Sequence, residues 1–140
     1  MWSADERSYR HEEITRAIIG AFFEVHNELC YGFLESVYRE AMGIALGGAG
    51  LQAHAEFAMT ARFRGQTVGE FKAELVVNGL VVVELKAVRS LAPPHEAQIL
   101  NYLRASVLEV GLLFNFGPQP QIRRFASSNQ RKRPAGLLSL

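Results

Sequence analysis

Two carboxylates and one amine lie in a stretch of chain that otherwise has the composition of a buried β-hairpin. The segment AELVVNGLVVVELKAV runs from Ala73 to Val88 and carries Glu74, Glu84 and Lys86 among its valines and leucines. Burying an isolated carboxylate is costly, so such groups are usually paired, protonated or bound to a metal ion. Glu84 and Lys86 are two residues apart in a predicted strand and therefore share one of its faces.

A divalent cation is one explanation for this cluster. If Glu74 points toward Glu84, and Glu35 joins them from a helix, negative charge exceeds the single charge of Lys86. Two like charges about 4 Å apart repel by about 4 kcal/mol at an effective dielectric constant of 20. Mg²⁺ or Mn²⁺ would turn that repulsion into attraction, because these hard cations prefer oxygen ligands. The alternative is that Glu84 and Lys86 only form an ion pair with each other.

The turn between the two strands decides whether the glutamates meet. Asn78 and Gly79 predict a hairpin turn, because both residues tolerate positive φ. With a strict two-residue turn, Glu74 and Glu84 point to opposite faces of the sheet. A three-residue loop or a bulge would bring them to the same face. The metal hypothesis therefore predicts an irregularity near the turn or near Glu74.

Three helices are predicted around these strands. Apolar residues recur at helical spacing from about Glu12 to Leu29 and from Leu34 to about Leu46, with Gly32 and the segment GGAG at 47–50 as stop signals. A third helix is expected from Pro93 to about Ala105, since prolines fit a helix start where amide donors are not needed. Its buried face would include Ala97, Leu100 and Leu103 or their neighbours.

Five strands complete the pattern. Alternating residues from Ala55 to Phe63 predict a first strand with one wet face and one apolar face, made of Ala55, Phe57, Met59, Ala61 and Phe63. A second strand is expected from about Val68 to Val77. The third, Leu80 to Val88, is apolar on both faces apart from its charged pair, which is typical of a central strand. The segments EVGLLFNFG and QIRRFA predict a fourth strand and a short fifth.

This order, α-α-β-β-β-α-β, predicts an α/β fold (an α+β mixed sheet) of four to five strands with helices on both faces. The first three strands should be antiparallel neighbours, and the fourth should lie parallel to the third after a crossover helix. We expect residues 1–126 to form a single domain. Residues 127–140, with the sequences RKRP and GLLSL, are expected to be a basic tail that is loose or depends on a partner.

The overall composition narrows the partners only weakly. The chain has 140 residues, a net charge of +1 and 49% hydrophobic residues, so it is globular and not strongly basic. DNA or RNA would have to bind through local patches, for which Arg62, Arg64, Arg123 and Arg124 are candidates. With no signal-peptide core and no apolar run of membrane-spanning length, a soluble cytoplasmic protein without membrane contact is expected. The apolar composition is also consistent with a homodimer.

Four further residues have modest interpretations. Cys30 is the single cysteine and is expected to be a small packing residue. His26 lies on the first helix and is expected to pack or to form a hydrogen bond rather than to bind a metal. Gln98 and Tyr102 are four residues apart on one helical face, where they either line a site or hydrogen-bond across a buried gap.

At this point the sequence resembles a known family. GFLESVY, from Gly32 to Tyr38, matches the G-x-x-E-x-x-Y signature of the GxxExxY proteins, and the resemblance continues through VELKAV, HEAQILNYL and GLLFNFG. It covers about Ile14 to Phe125. That family is placed in the PD-(D/E)XK nuclease-like superfamily, so the resemblance implies a restriction-endonuclease-like core, α-β-β-β-α-β, around a metal site.

The resemblance also implies roles for individual residues. The catalytic set would be Glu84 and Lys86 of the E-x-K element, the preceding acid Glu74, Glu35 of the naming motif and Gln98 of the following helix. Glu74, Glu84 and Glu35 would be the ligands of Mg²⁺ or Mn²⁺, and Tyr38 and Tyr102 would line the site. Tyr38 is expected mainly to pack, with its hydroxyl bound to a site carboxylate.

One departure from the family matters, because aspartate is usual where this chain has Glu74. The longer side chain would either displace the metal or be accommodated by a small backbone shift. Two functions follow. The first is a metal-dependent nuclease or phosphodiesterase that hydrolyses nucleic-acid phosphodiester bonds. The second is a non-catalytic module of the same fold that binds nucleic acid, a nucleotide or a protein partner. A purely structural role is a third, since fold does not decide function.

Overall fold

The order of helices and strands agrees with the predicted one. The structure, a computed structural model, describes residues 11–129 and Lys132. Its elements are α1 (Glu12–Leu29), α2 (Glu35–Gly48), β1 (Ala53–Phe63), β2 (Gln66–Val77), β3 (Val81–Lys86), α3 (Pro93–Arg104), β4 (Val110–Phe116) and β5 (Pro120–Ala126). None of the helices in the described part of the chain is long and apolar enough to cross a membrane.

The five strands form one mixed sheet in the order β1-β2-β3-β4-β5. Only β3 and β4 run parallel, and the helix α3 connects them. The other neighbours are antiparallel because short turns join them. The predicted fold class is therefore confirmed, and β3 is the central strand of the sheet. Its first five residues are buried, as expected for a strand covered on both sides.

Two apolar cores separate the sheet from its helices. On one face α1 and α2 pack on β3 and β4, where Phe22 stacks on Phe114 with ring centroids 4.4 Å apart and Tyr38 stacks on Phe116 at 4.3 Å. On the other face α3 buries Ile99, Tyr102 and Leu103. The predicted burial of Ala97 was wrong, because α3 turns this different stripe toward the sheet and leaves Ala97 exposed.

The end of α1, at Leu29, agrees with the prediction. The helix stops before Gly32, because Cys30 has a φ of 58° while its amide still donates to the carbonyl of His26 at 2.9 Å. The Cys30 side chain is exposed, so its expected packing role was wrong. The His26 ring is half-buried and its Nε2 lies 3.0 Å from the carbonyl oxygen of Gly117, in agreement with the hydrogen-bonding interpretation.

The apolar face predicted for β1 is mostly exposed. Met59 is buried, but Phe57 is 39% exposed and Phe63 is 59% exposed. The reason is topological, because β1 is an edge strand. β1 and β2 have 11 and 12 residues whereas β3 has 6, so the end of their hairpin extends beyond the paired part of the sheet.

The described residues of the predicted tail, 127–129 and Lys132, pack on the domain. The Ser127 amide donates to the Glu109 carbonyl at 2.8 Å, and the Asn129 amide donates to Oε2 of Glu109 at 2.7 Å. Lys132 Nζ donates to the carbonyl oxygens of Ser106 at 2.7 Å and Leu108 at 2.6 Å. Burial lowers the pKa of its ammonium group to about 8. Lys132 is therefore held against the segment that follows α3. The remaining residues of RKRP, and all of GLLSL, lie outside the described residues.

The loop after β3 is held by a buried asparagine. The side-chain oxygen of Asn115 accepts a hydrogen bond from the amide of Val88 at 2.9 Å, and its Nδ2 donates to the Val88 carbonyl at 2.9 Å. A Cβ added to Gly117 would lie 2.4 Å from that same carbonyl oxygen. The loop and β4 therefore approach so closely that only glycine fits at position 117.

Replacing Gly117 with alanine is expected to destabilise the protein by about 1–3 kcal/mol, the usual cost of overpacking. The matched control is Gly20→Ala on α1, where an added Cβ meets nothing within 4 Å. That control should stabilise by about 0.5–1 kcal/mol, since alanine is the better helix former. Urea unfolding of both variants measures the difference, and equal effects in the two would contradict the close approach.

Candidate active site

The connection between β2 and β3 has three residues, not two. Val77 pairs with Val81, which leaves residues 78–80 as the loop, and Asn78 and Gly79 have φ values of 53° and 66°. The same register, continued one step beyond the last paired residues, places Glu74 opposite Glu84. The predicted irregularity at the turn is therefore confirmed. It carries the two glutamates to the same face of the sheet.

Glu74 lies where the sheet opens on both sides of β2. Regular pairing of β2 with β3 ends at Leu75, and the amide of Leu85 donates to Oε1 of Glu74 at 2.8 Å instead of to a backbone carbonyl. On the other side, the ladder between β1 and β2 skips Glu56, whose φ is 53°. The carboxylate of Glu74 thus occupies the fork between β2 and β3 and satisfies an amide that the strands leave unpaired.

Glu84 is the most deeply buried acid of the site, with 4% of its surface exposed. Burial raises the pKa of its carboxyl to about 8, and repulsion from Glu74 adds to the shift. The Tyr102 hydroxyl donates to Glu84, and Gln98 Nε2 donates to the same hydroxyl at 2.8 Å. Burial and the Glu84 charge in turn raise the pKa of Tyr102. Gln98 and Tyr102 are therefore linked to Glu84 through hydrogen bonds.

The helix α2 brings Glu35 and Arg39 to the opposite side of Glu74. Burial is the main reason why the pKa of Glu74 is raised, and Glu35 raises it further through repulsion and a hydrogen bond between the carboxyls. Arg39 Nη1 lies 3.3 Å from Oε2 of Glu74 and opposes the shift, as does the amide of Leu85. Arg39 was not predicted from the sequence, although its position one helical turn after Glu35 was a usable signal.

Lys86 and Tyr38 complete the account of the predicted residues. Lys86 is half-buried two residues beyond Glu84, and its charge partly offsets the raised pKa of that carboxyl. The prediction that the Tyr38 hydroxyl binds a site carboxylate was wrong. The hydroxyl donates to the carbonyl of Cys30 at 2.5 Å and accepts from the amide of Phe33 at 3.3 Å. Tyr38 therefore fixes the connection between α1 and α2.

The four arginines suggested as phosphate contacts behave differently from one another. Arg124 is half-buried and donates to Oγ1 of Thr15 at 2.9 Å, which indicates a structural role. Arg123 lies 3.9 Å from Glu96 in an exposed pair, and Arg64 lies over the ring of Phe63. Arg62 lines a cavity of about 230 Å³ between β1 and the end of α3, with Phe57, Met59 and Val107.

Of the three predicted metal ligands, only the carboxylates of Glu74 and Glu84 are placed to share a cation. Among the described residues, no three or more His, Cys, Asp or Glu side chains are placed to hold one ion, so Glu35, Glu74 and Glu84 do not form a three-acid group. Glu74 and Glu84 nevertheless face each other, and both carboxyls have raised pKa values. Mg²⁺ is commonly bound through one or two carboxylates, with water and substrate phosphate as its other ligands. The pair is therefore compatible with that ion.

Comparison with known proteins gives one match. A family model described as the PD-(D/E)XK nuclease superfamily matches residues 12–125, from the first residue of α1 to one residue before the end of β5. No curated protein and no solved structure matches the chain significantly. Nucleases of this superfamily typically use divalent metal ions. With the mixed sheet, the flanking helices and the E-x-K strand all inside the matched region, this chain belongs to the PD-(D/E)XK nuclease superfamily.

Proposed function

We propose that this protein is a divalent-cation-dependent nuclease that hydrolyses nucleic-acid phosphodiester bonds. The observation that carries the proposal is the placement of Glu74 and Glu84 opposite each other at the fork between β2 and β3, where burial raises the pKa of both carboxyls and repulsion from Glu74 adds to the shift of Glu84. A buried pair of acids lowers its free energy by gaining a counterion. Lys86 and Arg39 supply two positive charges against the three acids Glu35, Glu74 and Glu84, and Mg²⁺ or Mn²⁺ would supply the remainder.

Each nearby residue then has a task. Glu74 and Glu84 would hold the cation, which supplies an activated water and polarises the phosphate. Lys86 would stabilise negative charge that develops on the phosphate oxygens. Tyr102, held by Gln98, fixes the orientation of Glu84. Two donors, the Leu85 amide and Arg39, fix Glu74. Such supporting hydrogen bonds keep ligands within the small tolerance that catalysis requires.

The local geometry also supports assignment to the GxxExxY proteins. Gly32 has a φ of 116°, which side chains other than hydrogen rarely allow. Glu35 interacts with Glu74, and Tyr38 closes the connection that carries the motif. Each fixed residue of G-x-x-E-x-x-Y thus has a physical task in placing the first turn of α2 beside the acids.

The direct test is a cleavage assay. Fluorescent single-stranded DNA, single-stranded RNA and duplex DNA would each be incubated with purified protein and Mg²⁺, Mn²⁺ or EDTA. We expect cleavage of at least one substrate with a divalent ion and none with EDTA. Absence of cleavage from every substrate with either metal would contradict the proposal.

Metal binding alone should also stabilise the fold. A ligand present at 100 times its dissociation constant stabilises the native state by about 2.7 kcal/mol. Titration with Mn²⁺ is therefore expected to raise Tm by several degrees, as measured by differential scanning fluorimetry. Titration with Na⁺ at equal ionic strength is the control. An equal response to both ions would show that no specific cation site exists.

One observation favours the alternative, a non-catalytic module that binds nucleic acid, a nucleotide or a protein. Both oxygens of Glu74 already accept hydrogen bonds from the Leu85 amide and Arg39. This binding function would show salt-dependent association with nucleic acid and no metal requirement. Glu74→Asp separates the two functions. If the protein is a nuclease whose glutamate weakens catalysis, the aspartate variant should cleave faster than the wild type. If it is a non-catalytic module, neither the wild type nor the aspartate variant should cleave.

A further inference from the structure

A second cavity lies at the carboxyl ends of the parallel strands β3 and β4. Its volume is about 290 Å³, and its lining includes Tyr31, Phe33, Ala87, Val88, Arg89 and Phe116. The carboxyl ends of parallel strands are the usual place for ligands in open α/β sheets. The volume is at the lower end for small-molecule sites, which suits one flat ring system and excludes a double helix.

The mouth of this cavity carries two exposed aromatic rings, one of which also packs edge-on against the buried ring of Tyr38. Tyr31 is 61% exposed and Phe33 is 48% exposed, and both lie on the short connection between α1 and α2. That connection is firmly placed, because the Tyr38 hydroxyl binds the Cys30 carbonyl and the Phe33 amide. Exposed aromatic rings on a fixed support are suited to stacking with a planar ligand.

The opposite wall is also fixed and carries the positive charge of Arg89. Asn115 holds Val88 through two hydrogen bonds, and Gln121 Oε1 accepts from the amide of Leu91 at 2.9 Å. Between these anchors the side chain of Arg89 is exposed and has no ion-pair partner among the described residues. An unpaired guanidinium beside aromatic rings can contact a phosphate or stack on a base.

One chain segment connects this cavity with the acids. Phe33 is two residues from Glu35, which interacts with Glu74. Ala87 follows Lys86 immediately, but it packs on the core beneath α1 and α2, whereas Glu84 faces Tyr102 of α3 on the other side of the sheet. The cavity is therefore linked to the acids through Phe33 and the start of α2.

We propose that this cavity binds an unpaired nucleobase, which stacks on Tyr31 and Phe33 while Arg89 contacts the adjoining phosphate. The inference rests on the proposed nuclease function and deepens it, because it makes single-stranded nucleic acid the substrate class. A base inside a duplex is stacked between its neighbours and cannot enter without being unpaired. Both DNA and RNA carry the required base, so the sugar is not specified by this cavity.

The test is a binding measurement in EDTA, where metal-dependent cleavage does not occur. Fluorescence anisotropy would be recorded with labelled oligothymidylate, oligouridylate, a duplex of equal length and an abasic oligonucleotide of equal length. Tyr31→Ala and Phe33→Ala are expected to weaken binding of both single strands by roughly 5- to 100-fold each, the effect of losing one stacked base. Tyr31→Phe keeps the ring and should bind like the wild type.

The matched control is Phe63→Ala, which removes an exposed ring at the end of the β1–β2 hairpin, outside the cavity. It should leave binding unchanged. Equal affinity for the abasic oligonucleotide would overturn the proposal, as would tighter binding of the duplex, no binding of any oligonucleotide by the wild type, or equal losses in Phe63→Ala and Phe33→Ala. A preference for one of the two single strands would support it and identify the sugar.

The outcomes also separate this inference from the proposed function. If the wild type cleaves nothing but shows the expected binding pattern, the nuclease proposal fails and the base site stands. If cleavage is metal-dependent while binding is indifferent to Tyr31, Phe33 and the presence of bases, the base site fails and the nuclease proposal stands.

Discussion

Replacing Glu84 with glutamine is expected to abolish binding of Mn²⁺ and, at the same time, to stabilise the metal-free protein. The glutamine amide has nearly the shape of the carboxyl group but carries no charge. It therefore avoids both the cost of burying a carboxylate away from water and the repulsion from Glu74. Burial and that repulsion raise the pKa of Glu84 from 4.5 to about 8. At about 1.4 kcal/mol per pKa unit, the variant gains roughly 3–5 kcal/mol at pH 8. Thermal unfolding in EDTA measures this gain, and isothermal titration with Mn²⁺ measures the loss of binding.

The dependence on pH gives the prediction a definite sign. Because the folded-state pKa of Glu84 is raised, the folded protein binds more protons than the unfolded chain between pH 4.5 and about 8. The wild type therefore loses stability as pH rises through that window. The glutamine variant lacks this loss, so its advantage should be smallest near pH 4.5, grow through the window and become constant above pH 8.

A matched control is Glu70→Gln, which removes an exposed carboxylate from β2, the strand that also carries Glu74. It should change neither Mn²⁺ binding nor the pH profile beyond about 0.5 kcal/mol, as is usual for surface substitutions. Wild-type Mn²⁺ affinity in Glu84→Gln would remove this carboxylate from the metal site. A gain in stability that does not depend on pH would contradict the raised pKa.

Replacing Lys86 with alanine is expected to reduce metal-dependent cleavage by about 100- to 1000-fold, the usual cost of removing one group that stabilises transition-state charge. Lys86 is half-buried at the end of β3, and in the described residues it takes part in no salt bridge within 4.0 Å. The fold should therefore survive the change. Single-turnover cleavage rates measure the effect, and thermal unfolding confirms that the variant is folded.

Lys72→Ala is the matched control for this prediction. Lys72 is an exposed lysine on β2, 3.9 Å from the exposed Glu56, and surface pairs of this kind contribute little. Its loss should leave cleavage within about twofold of the wild type. Cleavage that persists in Lys86→Ala but not in Lys72→Ala would place the reactive group elsewhere. Cleavage that persists in both would point to a contaminating nuclease.

Local sequence patterns were sufficient for the helices and the central strands. Apolar residues at helical spacing in α1 predicted the residues that it buries, such as Ile18 and Phe22. The continuous apolar run in β3 predicted a strand covered on both faces, and the three strands followed by a helix predicted the parallel pair β3–β4. These predictions succeeded because side-chain periodicity and connection length depend on neighbours in the sequence.

Features that depend on the edges of the structure were not predictable in the same way. Alternation in β1 indicated a buried apolar face, but its position at the edge of the sheet leaves Phe57 and Phe63 exposed. Cys30 has a small apolar side chain, yet it lies at the end of α1, where its backbone and not its side chain is used. Whether a position is covered depends on which elements pack there, and this is decided only by the assembled fold.

The sequence by itself determined which groups are available for chemistry: two glutamates and a lysine on adjacent strands, and a glutamate and a glutamine on helices. The sequence left open whether Glu74 and Glu84 lie on the same face of the sheet. A two-residue turn at Asn78 places them on opposite faces, and a three-residue turn places them on the same face. Only the tertiary structure decided that question, through the pairing of Val77 with Val81 and the opening of the sheet at Glu74. The physical reason is that one extra residue in a turn reverses every side chain that follows, and the choice is made by packing on both faces of the sheet.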